Sequence, residues 1–105
     1  MQIALVVFPG VSINECEAFS LAFRQLSAAG LGDCELVSVG AERGEVVGVG
    51  GRGHVDATFG EILSPDVVLV PGGLGVDRTA RDDDLIAWLR AVEPVWIRLT
   101  LTYSR

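Results

Sequence analysis

Gln2 to Phe8 reads Gln-Ile-Ala-Leu-Val-Val-Phe, an almost unbroken apolar run that stops at Pro9-Gly10. A strand buried on both faces has this texture, whereas a half-exposed strand alternates. From Ile13 to Ala29 the apolar residues Cys16, Phe19, Phe23, Leu26 and Ala29 recur at spacings of three and four, and Gly30 follows where a helix C-cap belongs. The spacing predicts a helix of about four turns. Leu36 to Val39 is a second short apolar strand, and Pro65-Asp66 introduces a third, Val67 to Val70, which ends in Pro71-Gly72-Gly73. Leu85, Trp88, Leu89 and Val92 mark one face of a second helix. Asp82 to Asp84 open it on the end that the helix dipole makes favourable for acids, and Pro94 stops it. Buried strands alternating with helices predict an α/β domain with a mainly parallel sheet covered on both sides.

Between Glu45 and Gly60 the pattern changes: Gly48, Gly50, Gly51, Gly53 and Gly60 are separated by valines and small polar residues, the texture of a β-hairpin excursion. Gly48-Val49-Gly50-Gly51-Arg52-Gly53 formally matches G-x-G-x-x-G. A dinucleotide fingerprint must open a helix, so that the helix N-terminus meets the pyrophosphate. The next residues, His54-Val55-Asp56-Ala57-Thr58, have no helical periodicity, so the glycines are read as a turn between strands and no cofactor is assigned.

Composition narrows the function classes. The 105 residues suit one domain, and half of them are hydrophobic, enough to form a core. No apolar run approaches the roughly 20 residues of a membrane span, and the N-terminus lacks the features of a secretory signal. A cytoplasmic protein is the expectation. Eight arginines face fourteen acids for a net charge of −6. They are scattered from Arg24 to Arg105 rather than clustered, which argues against nucleic acid as a partner. Cys16 and Cys34 form neither a disulfide framework nor a CxxC pair, and with the single histidine, His54, they do not make a metal site.

In parallel α/β sheets ligands sit beyond the carboxyl ends of the strands, which directs the search to the loops after Phe8 and Val70. The first is Phe8-Pro9-Gly10-Val11-Ser12-Ile13-Asn14-Glu15; the second is Pro65-Asp66-Val67-Val68-Leu69-Val70-Pro71-Gly72-Gly73-Leu74-Gly75. With the hairpin, the Asp56-Ala57-Thr58 segment and the Leu-Ile-Ala-Trp-Leu-Arg helix between them or after them in order, these loops resemble the ThiJ/PfpI family. That family of class I glutamine amidotransferase-like proteins includes deglycases, isonitrile hydratases, intracellular proteases and the sensor halves of AraC-type regulators. The resemblance runs over residues 1–97. It implies a flavodoxin-like three-layer α/β sandwich and homo-oligomers. It also implies a small-molecule site in which Glu15 would hydrogen-bond a nucleophile and the amides around Gly72 and Gly73 would form an oxyanion hole.

The family's third element is a cysteine on a strand-to-helix elbow, following the strand that Val95-Trp96-Ile97 matches. Here the sequence continues as a divergent tail over residues 98–105, Arg98-Leu99-Thr100-Leu101-Thr102-Tyr103-Ser104-Arg105, with no cysteine. The alternation of Val95, Ile97, Leu99, Leu101 and Tyr103 with polar residues predicts a half-exposed strand. The resemblance thus implies a single partial domain lacking the C-terminal part and the nucleophile, inactive alone, prone to self-association and exposing side chains such as Phe19, Val68 or Ile97, depending on which face is stripped. The rival function is a non-catalytic ligand-sensing or dimerisation module like the N-terminal half of an AraC-type regulator.

Each candidate residue also has a structural explanation. Ser12-Ile13-Asn14-Glu15 is an S-x-x-E capping box in which Glu15 would reach the Ser12 amide, a role compatible with catalysis. Cys16 belongs to the apolar face of its helix, and Cys34 lies between acids that would raise a thiol pKa. Gly72 and Gly73 serve equally as turn glycines or as an anion nest. His54 is expected to face solvent, and Asp82 to Asp84 to cap a helix rather than hold a cation.

Overall fold

In a computed structural model, which describes residues 2–30, 35–73, 83–92 and 96–99, the N-terminal apolar run forms β1 (Gln2–Val6). Its residues from Ile3 to Val6 are at most 2 % exposed. The strand is buried on both faces because it is central. β2 (Glu35–Gly40) lies parallel on one side, with Ile3 opposite Leu36. β6 (Val67–Val70) lies parallel on the other, with Ile3 opposite Val67. β5 (Ala57–Thr58) extends the sheet beyond β2, and β7 (Trp96–Leu99) extends it beyond β6, giving five parallel strands in the order β5-β2-β1-β6-β7. Asp66 fixes the start of this pairing: its carboxylate accepts from the Gln2 amide at 2.7 Å, and its own amide donates to the Gln2 carbonyl at 2.9 Å.

The connection from β1 to β2 carries α1 (Ile13–Ala28), and α2 (Asp83–Val92) stands between β6 and β7. The two connections step across the sheet in opposite directions. Right-handed crossovers therefore place the helices on opposite faces, the three-layer flavodoxin-like arrangement. β3 (Gly44–Gly48) and β4 (Gly51–Val55) form a separate antiparallel hairpin. Its tip is the Gly48 to Gly51 segment, with Gly50 at φ 89°, so the G-x-G-x-x-G string is a turn between strands.

Several expectations shift in detail. The first strand ends at Val6 rather than Phe8, although Val7 and Phe8 stay buried, because Pro9 has no amide to continue a ladder. The face of α1 from Cys16 to Phe23 is only half-buried, and Leu26 is 40 % exposed. Gly30 closes the helix at φ 71°, its amide donating to the Ser27 carbonyl at 3.1 Å. Val68, one of the side chains that a stripped face would expose, is fully buried in the core cluster. The strand at 96–99 pairs on one side, with Val67 opposite Trp96 in a parallel ladder with β6. α2 begins at Asp83; Asp82, Pro94, Cys34 and residues 100–105 of the divergent tail lie outside the described residues. Among the described residues no helix is long and apolar enough to cross a membrane.

Candidate functional site

Pro9 and Gly10 turn the chain sharply off the end of the central strand. Proline presets φ at the second position of a type II turn, and the third needs a positive φ. Gly10 supplies it at 89°, and the turn is closed by the Val11 amide donating to the Phe8 carbonyl at 3.0 Å. Val11 is then fully buried, and Ser12 caps α1 by accepting from the Glu15 amide at 3.5 Å.

The second loop meets the first directly. The Ser12 amide donates to the Gly72 carbonyl at 2.8 Å, and Val11 forms an antiparallel bridge with Gly73. Contact is close enough to demand glycine. A Cβ on Gly73 would lie 2.3 Å from the Gly10 carbonyl oxygen and 2.8 Å from the Ser12 nitrogen, and its φ of 151° already disfavours other residues. Glu15, Gly72 and Gly73 are thus brought to one edge, the carboxyl end of adjacent strands β1 and β6.

The capping box forms in one direction only. The Ser12 amide, the donor that the reciprocal arm of the box would use, donates to the Gly72 carbonyl instead. A complete capping box occurs instead at Thr58 and Glu61, around the short 3₁₀ turn Phe59–Glu61. There the Glu61 carboxylate accepts from the Thr58 amide at 3.2 Å and hydroxyl at 2.9 Å, and pairs with the Arg43 guanidinium. Arg43 and Thr58 hydrogen bonds hold the Glu61 pKa down, at about 2. Thr58-Phe59-Gly60-Glu61 carries the same T-x-x-E signal in the sequence that S-x-x-E carries at Ser12, and it was legible by the same rule.

The hairpin tip supplies a third wall that sequence reasoning did not find. Its Val49 amide donates to the Val11 carbonyl at 2.8 Å, the Ile13 amide donates to the Val49 carbonyl at 3.1 Å, and the Gly10 amide donates to the Val47 carbonyl at 2.9 Å. Gly48 permits this docking, because a Cβ there would meet the Val11 carbonyl oxygen at 2.5 Å. The clustered glycines were the only signal, and they announce a close backbone approach without saying to what.

Cys16 is half-buried on α1, and its pKa is pushed up to about 11 by burial first and by the neighbouring Glu15 and Glu17 carboxylates. It is a protonated thiol at neutral pH, the opposite of an activated nucleophile. His54 faces solvent with its side chain 64 % exposed and its Nε2 3.4 Å from the Asp56 carboxylate. Among the described residues no group of three or more His, Cys, Asp or Glu is placed to hold a metal ion.

A doubly wound parallel sheet with glycine-rich loops converging at its carboxyl edge defines a class of small α/β domains whose ligands lie at that edge. Solved structures narrow the class. A ThiJ/PfpI family protein from Pseudomonas syringae superimposes with a TM-score of 0.72 at 23 % identity, over 93 % of this chain and 40 % of that one. A DJ-1 superfamily protein from Salmonella typhimurium, solved as a cysteine-to-alanine mutant, matches with a TM-score of 0.69 at 25 % identity over 88 % and 49 %. A candidate transcriptional regulator from Vibrio parahaemolyticus shares the fold with a TM-score of 0.67 at 13 % identity, over 89 % and 51 %. No family profile and no curated protein matches the sequence. The chain shares the fold of these ThiJ/PfpI and DJ-1 superfamily structures, and it spans about half their length or less.

Proposed function

We propose that the chain provides the N-terminal share of a ThiJ/PfpI-type small-molecule site, with Glu15 as the acid and the Gly72 and Gly73 backbone as the anion-facing wall, and that it does not turn substrate over by itself. The support for this reading is the hydrogen bond from Ser12 to Gly72, which joins the acid-bearing helix to the glycine pair at the sheet edge where ligands of such folds sit. Cysteine-dependent hydration or hydrolysis, the chemistry of relatives, needs a thiolate against oxyanion donors at about 3 Å. Cys16, with its raised pKa and its place on the flank of α1, does not suit that role. Purified chain is expected to leave glyoxals and isonitriles at the background rate. Thiol-dependent turnover that Cys16→Ser abolishes would overturn the reading.

The second reading is a non-catalytic sensing or dimerisation module, favoured by the fold shared with the candidate regulator from Vibrio parahaemolyticus. It differs in what sedimentation would show. A sensor would change its oligomeric state on binding a ligand, whereas a bare share of a catalytic site would not.

A further inference from the structure

A groove of about 420 Å³ runs between α1 and β4 on the face of the sheet that α1 covers, in the size range of sites for small organic ligands. Glu15, Gly72 and Gly73 do not line it, so it is independent of the site at the sheet edge. Its floor is apolar: Leu5, Val7 and Ile13 reach it with their edges, being at most 6 % exposed, and Leu21, 50 % exposed, supplies the larger apolar surface beside them. Gly53 keeps the β4 wall low, since even a Cβ there would approach Val7 Cγ1 to 3.1 Å.

The rim has a different character. Arg24 projects from α1, and Arg52 and His54 belong to β4. A chain with eight basic residues and one histidine in a net charge of −6 thus places two of the eight, and the histidine, around one small groove. Arg52 uses Nη1 on Glu45 at 3.1 Å and keeps other guanidinium donors, while Arg24 has no ion pair among the described residues. Glu17 is the one acid on the lining. It sits two helical turns from Arg24, roughly 10 Å along the axis, so acid and base mark opposite ends.

We propose that this groove binds an amphiphilic monocarboxylate, its apolar tail laid on Leu5, Val7 and Ile13 and its carboxylate held at the Arg24 end, with Arg52 and His54 as further donors. An arginine matches a carboxylate in geometry as well as charge. The chain's overall negative charge and Glu17 disfavour a polyanion such as a nucleotide, and the apolar floor disfavours a small inorganic anion.

The test is an amide chemical-shift titration of the full chain with hexanoate, using 1-hexanol and hexylamine as probes of equal tail length. Saturable shifts are expected at Ser20, Arg24, Gly53 and His54, in the millimolar range of a small weak ligand. Hexanoate should bind more tightly than hexanol, and hexylamine should not saturate. Arg24→Gln, a change at an exposed position that should leave the spectrum folded, should weaken hexanoate about tenfold, the loss expected for a charge-assisted hydrogen bond; Arg52→Gln should weaken it less. The absence of saturation, an affinity unchanged by Arg24→Gln, or equal binding of all three probes would overturn the proposal. So would shifts at these amides that follow protein concentration and ignore hexanoate, which would make the groove a contact between copies of the chain.

Discussion

The Ser12 amide and the Gly72 carbonyl, 60 residues apart in the chain, share a 2.8 Å hydrogen bond that ties the start of α1 to the loop after β6. One bond does two jobs. It satisfies an amide at the helix entrance that has no intrahelical partner, and it fixes the spacing between Glu15 and the glycine pair.

Gly73→Ala should break this arrangement. The new methyl would need to occupy space 2.3 Å from the Gly10 carbonyl oxygen, at a φ of 151°. A loss of more than ~2 kcal/mol is expected in denaturant unfolding, from strain and displaced backbone together. Gly30→Ala is the control: its φ is 71° but nothing lies within 4 Å of the added Cβ, so the cost should be only about 1 kcal/mol of backbone conformation. Equal losses at the two positions would show that the close approach of the loops contributes nothing.

The Cys16 thiol should report its surroundings through pH. Its pKa is raised from 9.0 to about 11, chiefly by burial, so the folded state binds the proton more tightly than the unfolded state. That contribution to stability is complete below about 9 and is lost as pH rises from about 9 to about 11. In a Cys34→Ser background, alkylation by iodoacetamide should be slow at neutral pH and rise with a midpoint near 11. A midpoint at or below 9 would show that the thiol is not desolvated.

Glu61 should titrate in the opposite sense. Its pKa is lowered from 4.5 to about 2 by hydrogen bonds from Arg43 first and then Thr58. The stabilisation is therefore fully present above about 4.5 and disappears as pH falls towards 2. Arg43→Ala should return the Glu61 carboxyl towards its ordinary range in a carbon-detected NMR titration. Because the pair is exposed, the effect on unfolding at neutral pH should be small. An unchanged Glu61 midpoint in Arg43→Ala would remove Arg43 as the cause.

These residues also mark how far the sequence could be read. Hydrophobic period located β1, α1, β2, β6 and α2 because their burial is set by neighbours on the sheet, and a strand buried on both faces cannot hide its run of apolar residues. The convergence of Glu15 with Gly72 and Gly73 was legible too, since it follows from strands β1 and β6 being parallel neighbours. The docking of the hairpin tip was not. It depends on backbone groups of Gly10, Val11, Ile13 and Val49, and a backbone hydrogen bond leaves no residue signature beyond the glycine that makes room. The half-exposed face of α1 was equally hidden, because periodicity identifies the apolar side of a helix but not how completely anything covers it.

That incomplete cover underlies the last expectation. Leu21 on α1 is 50 % exposed, Val47 on the hairpin 67 %, and Leu63 in the segment before β6 71 %, so large apolar side chains reach solvent on separate parts of the surface. The Cα radius of gyration is 12.9 Å, about the value for a folded chain of this length. Association should therefore join folded bodies rather than unfolded ones, driven by the burial of exposed apolar area. Sedimentation velocity is expected to show a weight-average mass that rises with concentration while far-ultraviolet circular dichroism stays constant. Leu21→Glu, Val47→Glu and Leu63→Glu each place a charge in one of these regions and should lower the association where that region is the contact. Single-variant rescue would indicate a specific interface, and partial rescue by all three would indicate non-specific adhesion. A monomer at every concentration, with a cooperative melt well above about 60 °C, the upper end for ordinary domains, would refute self-association and show that these 105 residues need no further cover.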